Sequence, residues 1–332
     1  MTDRPNFFVT YPIPEPGMGS LRAAGLVHVP EEQPSAEELR DACASGDFDV
    51  VVAQLSDRFD ADLLGAAKLA GISNYAVGYD NIDVPAATGH GILVGNTPGV
   101  LTDATADLAM LLILATARRA IEADQFTRSG QFTGWKPELL LGQDVSGATL
   151  GLAGFGRIAR ATAQRAVAFG MEVTFCSHPP AGRTVTDAEL ADLPYPVRQV
   201  GWAELVERSD FLSVHIPLAP STRHLIGARA LAAMKPTAIL VNTARGPIVD
   251  ENALVDTLRN GHLAGAGLDV YEHEPLLAPG LADLPNVVLL PHLGSATTKV
   301  RARMAELCAG NAVAIAHGQV PPHCVNPEAV TK

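Results

Sequence analysis

The sequence predicts an α/β fold: two doubly wound parallel-sheet domains, the second inserted into the first. Short runs rich in Val, Ile and Leu alternate with helical stretches along nearly the whole chain, the pattern of parallel strands covered by helices on both faces. Composition agrees, since 47% of the residues are hydrophobic and only 5% aromatic. The length of 332 residues is too great for one small core and suits two domains of ordinary size.

In the first hundred residues, strands are expected at Phe7 to Thr10, Leu26 to Val29, Asp49 to Ala53, Gly71 to Val77 and Ile92 to Val94. Helices are expected at Ser35 to Ala44, Ala61 to Ala70 and Val84 to His90, the first opened by Ser35 and Glu38 in capping-box spacing. A long helix then runs from Thr102 to about Ser129. Its segment Leu108 to Ala115 is apolar on every side, which predicts burial on every side, in a core, between domains or in a subunit interface. Residues Gly130 to Asp144 form a loop carrying Trp135.

A second series of strands is expected at Thr149 to Ala153, Glu172 to Cys176, Val197 to Val200, Phe211 to His215, Ala238 to Val241, Gly265 to Val270 and Val287 to Leu290. A helix from about Ser295 closes the chain and is expected to pack back on the N-terminal domain. One domain thus comprises residues 1–101 and 295–332, and residues 102–294 are inserted in it.

Charge and cysteines exclude several classes of function. The net charge of −12, with no basic run, argues against a nucleic-acid partner, whose phosphates demand surplus Lys and Arg. The apolar segment Leu108 to Ala117 is too short to cross a bilayer, and Met1 to Thr10 lacks a charged-then-apolar signal pattern, so a cytoplasmic protein without a membrane partner is expected. Cys43, Cys176, Cys308 and Cys324 form no Cys-x-x-Cys pair and no His cluster has metal spacing; inert thiols and no metal are expected.

Chemistry enters at Gly154-Phe155-Gly156-Arg157-Ile158-Ala159, which follows an apolar strand and leads into a helix. The first glycine permits a tight turn, the second lets the backbone approach a pyrophosphate, and Ala159 is small enough for helix and strand to touch. Phosphate would sit on the helix N-terminus. The inserted domain therefore reads as a Rossmann-like dinucleotide domain, and the outer domain, which has no phosphate glycines, as flavodoxin-like. An NAD site ends its next strand with an acid for the ribose hydroxyls. Here that place is Ser177, 18 residues past Ala159, and residues Val173 to Thr186 contain no acid. Ser177, His178 and Arg183 offer instead a setting for a 2′-phosphate, which favours NADP(H) and leaves NAD(H) as the alternative.

Three further strand ends carry polar residues of different kinds. Arg245, in Asn242-Thr-Ala-Arg-Gly-Pro, can grip a carboxylate or 2-keto acid through two parallel hydrogen bonds. Histidine is the side chain whose charge changes near neutral pH, so His292, in Leu290-Pro-His-Leu-Gly-Ser, can pass a proton to a carbonyl oxygen. Glu274 can hydrogen-bond that imidazole and favour its protonated form. Taken singly each has an ordinary structural reading, as core histidine, solvated acid or surface cation. Together, at strand ends of the domain that holds the glycine loop, they point to catalysis. Asp269, ending its own strand, is placed to hold a nicotinamide carboxamide or simply to start a loop.

With these residues the chain resembles the D-2-hydroxyacid dehydrogenase family over nearly its whole length. The resemblance is carried by Val77-Gly-Tyr-Asp-Asn-Ile-Asp83, Asn96 to Asp107, Leu150 to Ala159, Asn242 to Asp250, Gly267-Leu-Asp-Val-Tyr-Glu-His-Glu-Pro275 and Pro291-His-Leu-Gly-Ser-Ala-Thr297. It implies Arg245 as substrate clamp, Glu274 and His292 as acid-base pair, and the Val77 and Gly78 amides on the substrate carboxylate. It also implies cofactor contacts from Thr105, the glycine loop, His215, Pro217, Thr222, Thr243, Ala244, Asp269, His292 and Gly294, and substrate contacts from Leu55, Trp135 and Ser295. Trp135 and Ser295 are similar to the glyoxylate and hydroxypyruvate reductase branch, in which the Trp reaches the neighbouring subunit's pocket of a homodimer. The implied reaction is hydride transfer to a small 2-keto acid, giving the D-2-hydroxy acid. Reductases of 2-ketogluconate and other sugar acids look almost as similar, and a dinucleotide-sensing corepressor on the same scaffold is the non-enzymatic alternative.

Overall fold

Among the described residues, 4–191 and 193–331, the computed structural model contains a five-stranded and a seven-stranded sheet, and every strand pairing within them is parallel. The chain divides into two units, one ending at Leu101 and resuming at Ala296, the other running from Thr102 to Ser295.

The first unit runs β1 (Asn6–Val9), α1 (Glu15–Ala24), β2 (Leu26–His28), α2 (Ala36–Ser45), β3 (Val50–Ala53), α3 (Ala61–Ala66), β4 (Gly71–Asn74), α4 (Val84–Gly89) and β5 (Leu93–Gly95). Its strand order is β2-β1-β3-β4-β5, the flavodoxin-like order. The expected capping box is present: Ser35 Oγ accepts the Glu38 N–H at 3.3 Å and Glu38 Oε2 accepts the Ser35 N–H at 2.8 Å. Helix α1 escapes a reading by pattern because Pro14, Pro16, Gly17 and Gly19 look like breakers. Pro14 serves as the N-cap and a second proline sits in the first turn, where no N–H is needed. Gly17 provides room, since a Cβ there would lie 2.6 Å from the Ala305 carbonyl oxygen. The expected helix Ala61 to Ala70 stops at Ala66, because the Lys68 and Ala70 amides turn away to Cys43 O and Asp49 O.

The second unit runs α5 (Thr102–Ala117), α6 (Ala120–Arg128), β6 (Thr149–Ala153), α7 (Arg157–Ala168), β7 (Glu172–Cys176), α8 (Asp187–Ala191), β8 (Arg198–Gln199), α9 (Trp202–Arg208), β9 (Phe211–Val214), α10 (Ala228–Ala233), β10 (Ile239–Asn242), α11 (Glu251–Arg259), β11 (Gly265–Leu268) and β12 (Val287–Leu289). The strand order is β12-β11-β10-β9-β6-β7-β8. The chain starts at β6, builds to one edge, then returns to β9 and builds to the other, so the switch point lies between β6 and β9. Separate hydrophobic cores fill the two faces: α5 and α7 cover one, α9, α10 and α11 the other.

The long helix expected from Thr102 to Ser129 is two helices. Arg119 takes φ 51° in the left-handed region, and its guanidinium closes on Glu122 at 2.8 Å, starting α6 on a new axis. Helix α5 buries Thr105, Ala106, Ala109, Met110, Leu112 and Ile113, yet Leu111 is 51% exposed, so the all-round burial expected of this segment is incomplete. The strand expected at Val197 to Val200 shrinks to Arg198 and Gln199 at a sheet edge. The final helix, α12 (Thr298–Ala316), begins after Thr297, whose hydroxyl accepts the Val300 N–H, and packs on the first unit's sheet through Met304, Ala305, Cys308 and Ala312. Cys43, Cys176 and Cys308 are buried and all four cysteines are free.

Candidate active site

At the switch point of the second unit, Gly154 follows β6 with φ +100°, and a Cβ there would lie 2.6 Å from the His215 carbonyl oxygen at the end of β9. Glycine is thus required twice over, for the turn and for the close approach of two strand ends. Gly156 is the N-cap of α7 and supplies no side-chain cap; a Cβ there would meet nothing within 4 Å. Among the described residues no acceptor meets the Arg157 or Ile158 N–H of the first α7 turn, at the positive end of a twelve-residue helix. The Phe155 ring turns inward and stacks on Phe175 with centroids 3.7 Å apart. On this geometry the loop fits a dinucleotide pyrophosphate.

Strand β7 ends at Cys176, and the buried Ser177 follows it. Ser177 Oγ donates to the Arg183 carbonyl and accepts the Arg183 N–H, closing the loop between them. The Arg183 guanidinium meets Glu189 at 2.6 Å on the surface, and His178 is exposed. Sequence reasoning put these three at a 2′-phosphate without foreseeing that Ser177 holds its own loop or that Glu189 reaches the arginine. His215 keeps part of its surface exposed, yet its imidazole is enclosed, and burial pushes it down to about 4. Its Nε2 lies 2.9 Å from Ser213 Oγ. Thr222 Oγ1 is spent locally, donating to Pro217 O and accepting the Ala219 N–H.

Arg245 follows β10. The Asn242 side chain folds this turn by donating to Arg245 O at 2.9 Å and accepting the Ala244 N–H at 3.0 Å. Arg245 Nη1 donates to Ala244 O at 2.8 Å. Between them Thr243 Oγ1 is buried without a hydrogen-bond partner among the described residues, an atom that calls for a polar ligand.

His292 follows β12 in the left-handed region, with φ 56°. The strain is held by Asp269, which follows β11 and is 1% exposed: its carbonyl accepts the His292 N–H at 2.9 Å, Oδ1 the Leu293 N–H at 2.6 Å and Oδ2 the Gly294 N–H at 2.8 Å. Thr105 Oγ1 of α5 donates to Gly294 O and closes the turn. Burial raises the Asp269 pKa, against these amides and the nearby His292. His292 Nδ1 lies 2.9 Å from Glu274 Oε2, and Glu274 Oε1 accepts the Tyr271 N–H at 3.1 Å. Burial alone would raise Glu274; the hydrogen bond and charge of His292, the Tyr271 amide and Arg245 outweigh it and leave Glu274 below its usual range.

Sequence reasoning missed what holds the Glu274 loop. Glu251 of α11, 3% exposed, accepts the Glu272 N–H through Oε1 at 2.5 Å and the Ala278 N–H through Oε2 at 3.2 Å, bracketing Glu274. Glu272 is clamped in turn by His224 Nε2 at 2.6 Å and Arg223 at 3.0 Å. In the first unit, Leu55, Val77 and Gly78 lie beyond the carboxyl ends of β3 and β4 and are half-buried. Trp135 is 82% exposed, and Ser295 closes the second unit half-buried. Among the described residues no group of three His, Cys, Asp or Glu has metal-binding geometry, and no helix is long and apolar enough to cross a membrane.

Comparison with known proteins places this geometry. Residues 110–294 match the family model of the D-isomer specific 2-hydroxyacid dehydrogenase NAD binding domain. A glyoxylate reductase of Thermococcus litoralis is 46% identical over 339 aligned residues, covering 99% of this chain and 98% of the relative. The crystal structure of a glyoxylate reductase from Paecilomyes thermophila superposes with a TM-score of 0.85 at 34% identity, covering 99% of each chain. An NADPH-dependent glyoxylate/hydroxypyruvate reductase of Sinorhizobium meliloti, solved with NADP and malonate, superposes with a TM-score of 0.81 at 34% identity over 93% of this chain and 92% of that one. With a family model matched across the second unit and relatives aligned from end to end, the chain belongs to the D-isomer specific 2-hydroxyacid dehydrogenases.

Proposed function

We propose that this protein reduces glyoxylate and hydroxypyruvate to their 2-hydroxy acids, glycolate and D-glycerate, with NADPH as the preferred reductant. The observation that carries the reading is the 2.9 Å contact of His292 Nδ1 with Glu274, on the same carboxyl edge of one sheet as the glycine loop and Arg245. The printed activities of the relatives named above point the same way.

The second unit would hold the dinucleotide through the glycine loop and α7, with Thr243 and Asp269 toward the nicotinamide; when bound, it supplies the hydride that the keto carbon receives. Arg245 orients the acid and polarises its carbonyl, which a planar fork of donors does better than a lysine. Glu274 takes the proton-bearing Nδ1 of His292, so Nε2 is the nitrogen that delivers a proton to the keto oxygen. A carboxylate held below its usual range stays ionised at neutral pH and stabilises the imidazolium that must form before that delivery. The first unit contributes the Val77 and Gly78 amides to the substrate carboxylate.

Support for NADPH comes from the end of β7, where Ser177 stands in place of an acid. The Arg183–Glu189 pair beside it is exposed at both ends, so solvent screens it and the arginine is readily exchanged to a phosphate partner. Five exposed apolar side chains between α5 and the following loop, Leu111, Ile121, Phe132, Trp135 and Leu141, support a homodimer, which the mass in solution tests.

Purified protein is expected to oxidise NADPH on addition of glyoxylate or hydroxypyruvate; absence of turnover with every small 2-keto acid and either cofactor would overturn the reading. Ser177→Asp puts at the end of β7 the acid that an NAD site uses for the ribose hydroxyls, at the cost of the Ser177–Arg183 loop contacts, and should shift preference toward NADH by about tenfold or more. An unaltered NADPH to NADH ratio would remove this loop from cofactor choice.

A further inference from the structure

Beyond β4 the backbone of the first unit runs through Ala76, Val77 and Gly78, and each of their carbonyls is held by a different donor. The Thr97 N–H donates to Ala76 O at 2.8 Å. Asn96 Nδ2 donates to Val77 O at 2.8 Å, and Asn74 Nδ2 to Gly78 O at 2.9 Å. These peptide bonds are trans, so each carbonyl and the N–H of the next residue point in opposite directions. Fixing three carbonyls therefore fixes the N–H groups of Val77, Gly78 and Tyr79, aimed away from the groups that hold them. Among the described residues no acceptor meets any of the three. The two asparagines are themselves held. Asn74, 0% exposed, exchanges side-chain contacts with Asn81. Asn96 donates its N–H to His323 O, and its own carbonyl accepts Asn311 Nδ2.

We propose that Asn96 and Asn74 are positioning residues for the substrate carboxylate, locking the peptide planes so that the amides following them stay turned toward the anion, with the Tyr79 N–H beside those of Val77 and Gly78. The proposal rests on the reading that these amides meet the substrate. Neither asparagine touches the substrate: each acts on the carbonyl behind a donor. Pre-set amides receive a carboxylate without paying to turn toward it, so the effect falls on binding rather than on the hydride step.

The test is Asn96→Ala, at a half-buried position, with steady-state kinetics and calorimetric titration of oxalate, a two-carbon dicarboxylate, into the NADP-loaded protein. The expected result is a KM for glyoxylate and a dissociation constant for oxalate each raised about ten- to hundredfold, the effect of one charge-assisted hydrogen bond lost. The kcat should stay within about threefold, and the KM for NADPH and the melting temperature should hold. Asn96→Ser, whose hydroxyl is too short to reach Val77 O, makes the same prediction if the alanine variant does not fold. Unchanged oxalate affinity in a folded variant would overturn the proposal. So would a parallel fall in kcat, NADPH affinity and melting temperature, which is the mark of a merely structural residue. If the wild type reduces no 2-keto acid, the proposed function fails but oxalate still decides here: weaker binding in the variant upholds the positioning role and equal binding refutes it.

Discussion

Gly246, the residue after Arg245, lies against the backbone that leads to Glu274 on the proposed catalytic edge. A Cβ built there would lie 1.8 Å from the Tyr271 carbonyl carbon, 1.9 Å from its oxygen and 2.4 Å from the Glu272 nitrogen. Its φ is not in the left-handed region, so glycine is present for room alone. Carbon atoms rest at about 3.5–4.0 Å, so Gly246→Ala must separate the Arg245 turn from the backbone before Glu274 by about 2 Å. A misplacement of about 1 Å at a catalytic site costs about 10²-fold, so kcat/KM should fall by at least about two orders of magnitude. Overpacking costs about 1–3 kcal/mol, and the upper end applies because the obstacle is backbone. For a chain of 332 residues that lowers the melting temperature by about 4 °C. Dinucleotide affinity, read by fluorescence titration, should change less than about threefold, because the glycine loop follows β6 and is untouched. A variant with wild-type kcat/KM and an unshifted melting temperature would refute the argument.

Other perturbations separate the roles further. His292→Ala should reduce turnover by about two or more orders of magnitude with cofactor affinity nearly intact, and an unchanged rate would remove the histidine from proton delivery. Glu251→Gln puts an NH₂ against one of the two amides that its carboxylate accepts; a loss of about 1–3 kcal/mol in stability with a roughly tenfold fall in kcat is expected from denaturant melts and kinetics, and full activity would show the Glu274 loop to be held otherwise. His215 predicts acid lability. Burial sets it at about 4 in the folded state against about 6.5 when unfolded, so the unfolded chain takes the proton first. Its contribution is complete above about pH 6.5 and declines toward pH 4, by about 3 kcal/mol in all. Denaturation midpoints across that window should fall less steeply in His215→Asn; identical slopes would exclude His215 as the cause.

Much of this molecule is legible from local pattern. Parallel strands buried on both faces read as apolar runs, and the Ser35–Glu38 box and the glycine loop carry their geometry in residues three to five apart. Arg245, Glu274 and His292 can be put forward together because strand ends in a doubly wound sheet share one edge. Legibility fails where an element's stability comes from a distant partner. Helix α1 contains a proline and two glycines behind a proline N-cap and forms because α12, nearly three hundred residues later, packs against it. The break at Arg119 is invisible in a stretch with no Gly or Pro because it depends on a left-handed residue and its pairing with Glu122. At Ser177 the chemistry of the residue was read and its use was not, since a hydroxyl that holds its own loop looks the same in sequence as one facing a ligand.

The same limit explains which site residues escaped. Glu251, Asn74 and Asn96 act on backbone atoms, and a backbone acceptor or donor has no residue type for a pattern to match. Asp269 shows how a residue in plain view can carry both kinds of work: its carboxylate was read as a cofactor ligand, and in the fold it binds two consecutive amides that keep His292 at φ 56°. A histidine in that conformation is disfavoured by roughly 1 kcal/mol or more unless its surroundings hold it. The imidazole proposed to deliver the proton is therefore aimed from two sides, its ring by Glu274 and its backbone by Asp269. Asp269→Asn tells these apart, since an amide can accept only one of the two N–H groups. If the backbone hold matters, that variant should lose turnover about tenfold or more even with glyoxylate and NADPH saturating, whereas a residue that only bound cofactor would be rescued by saturation.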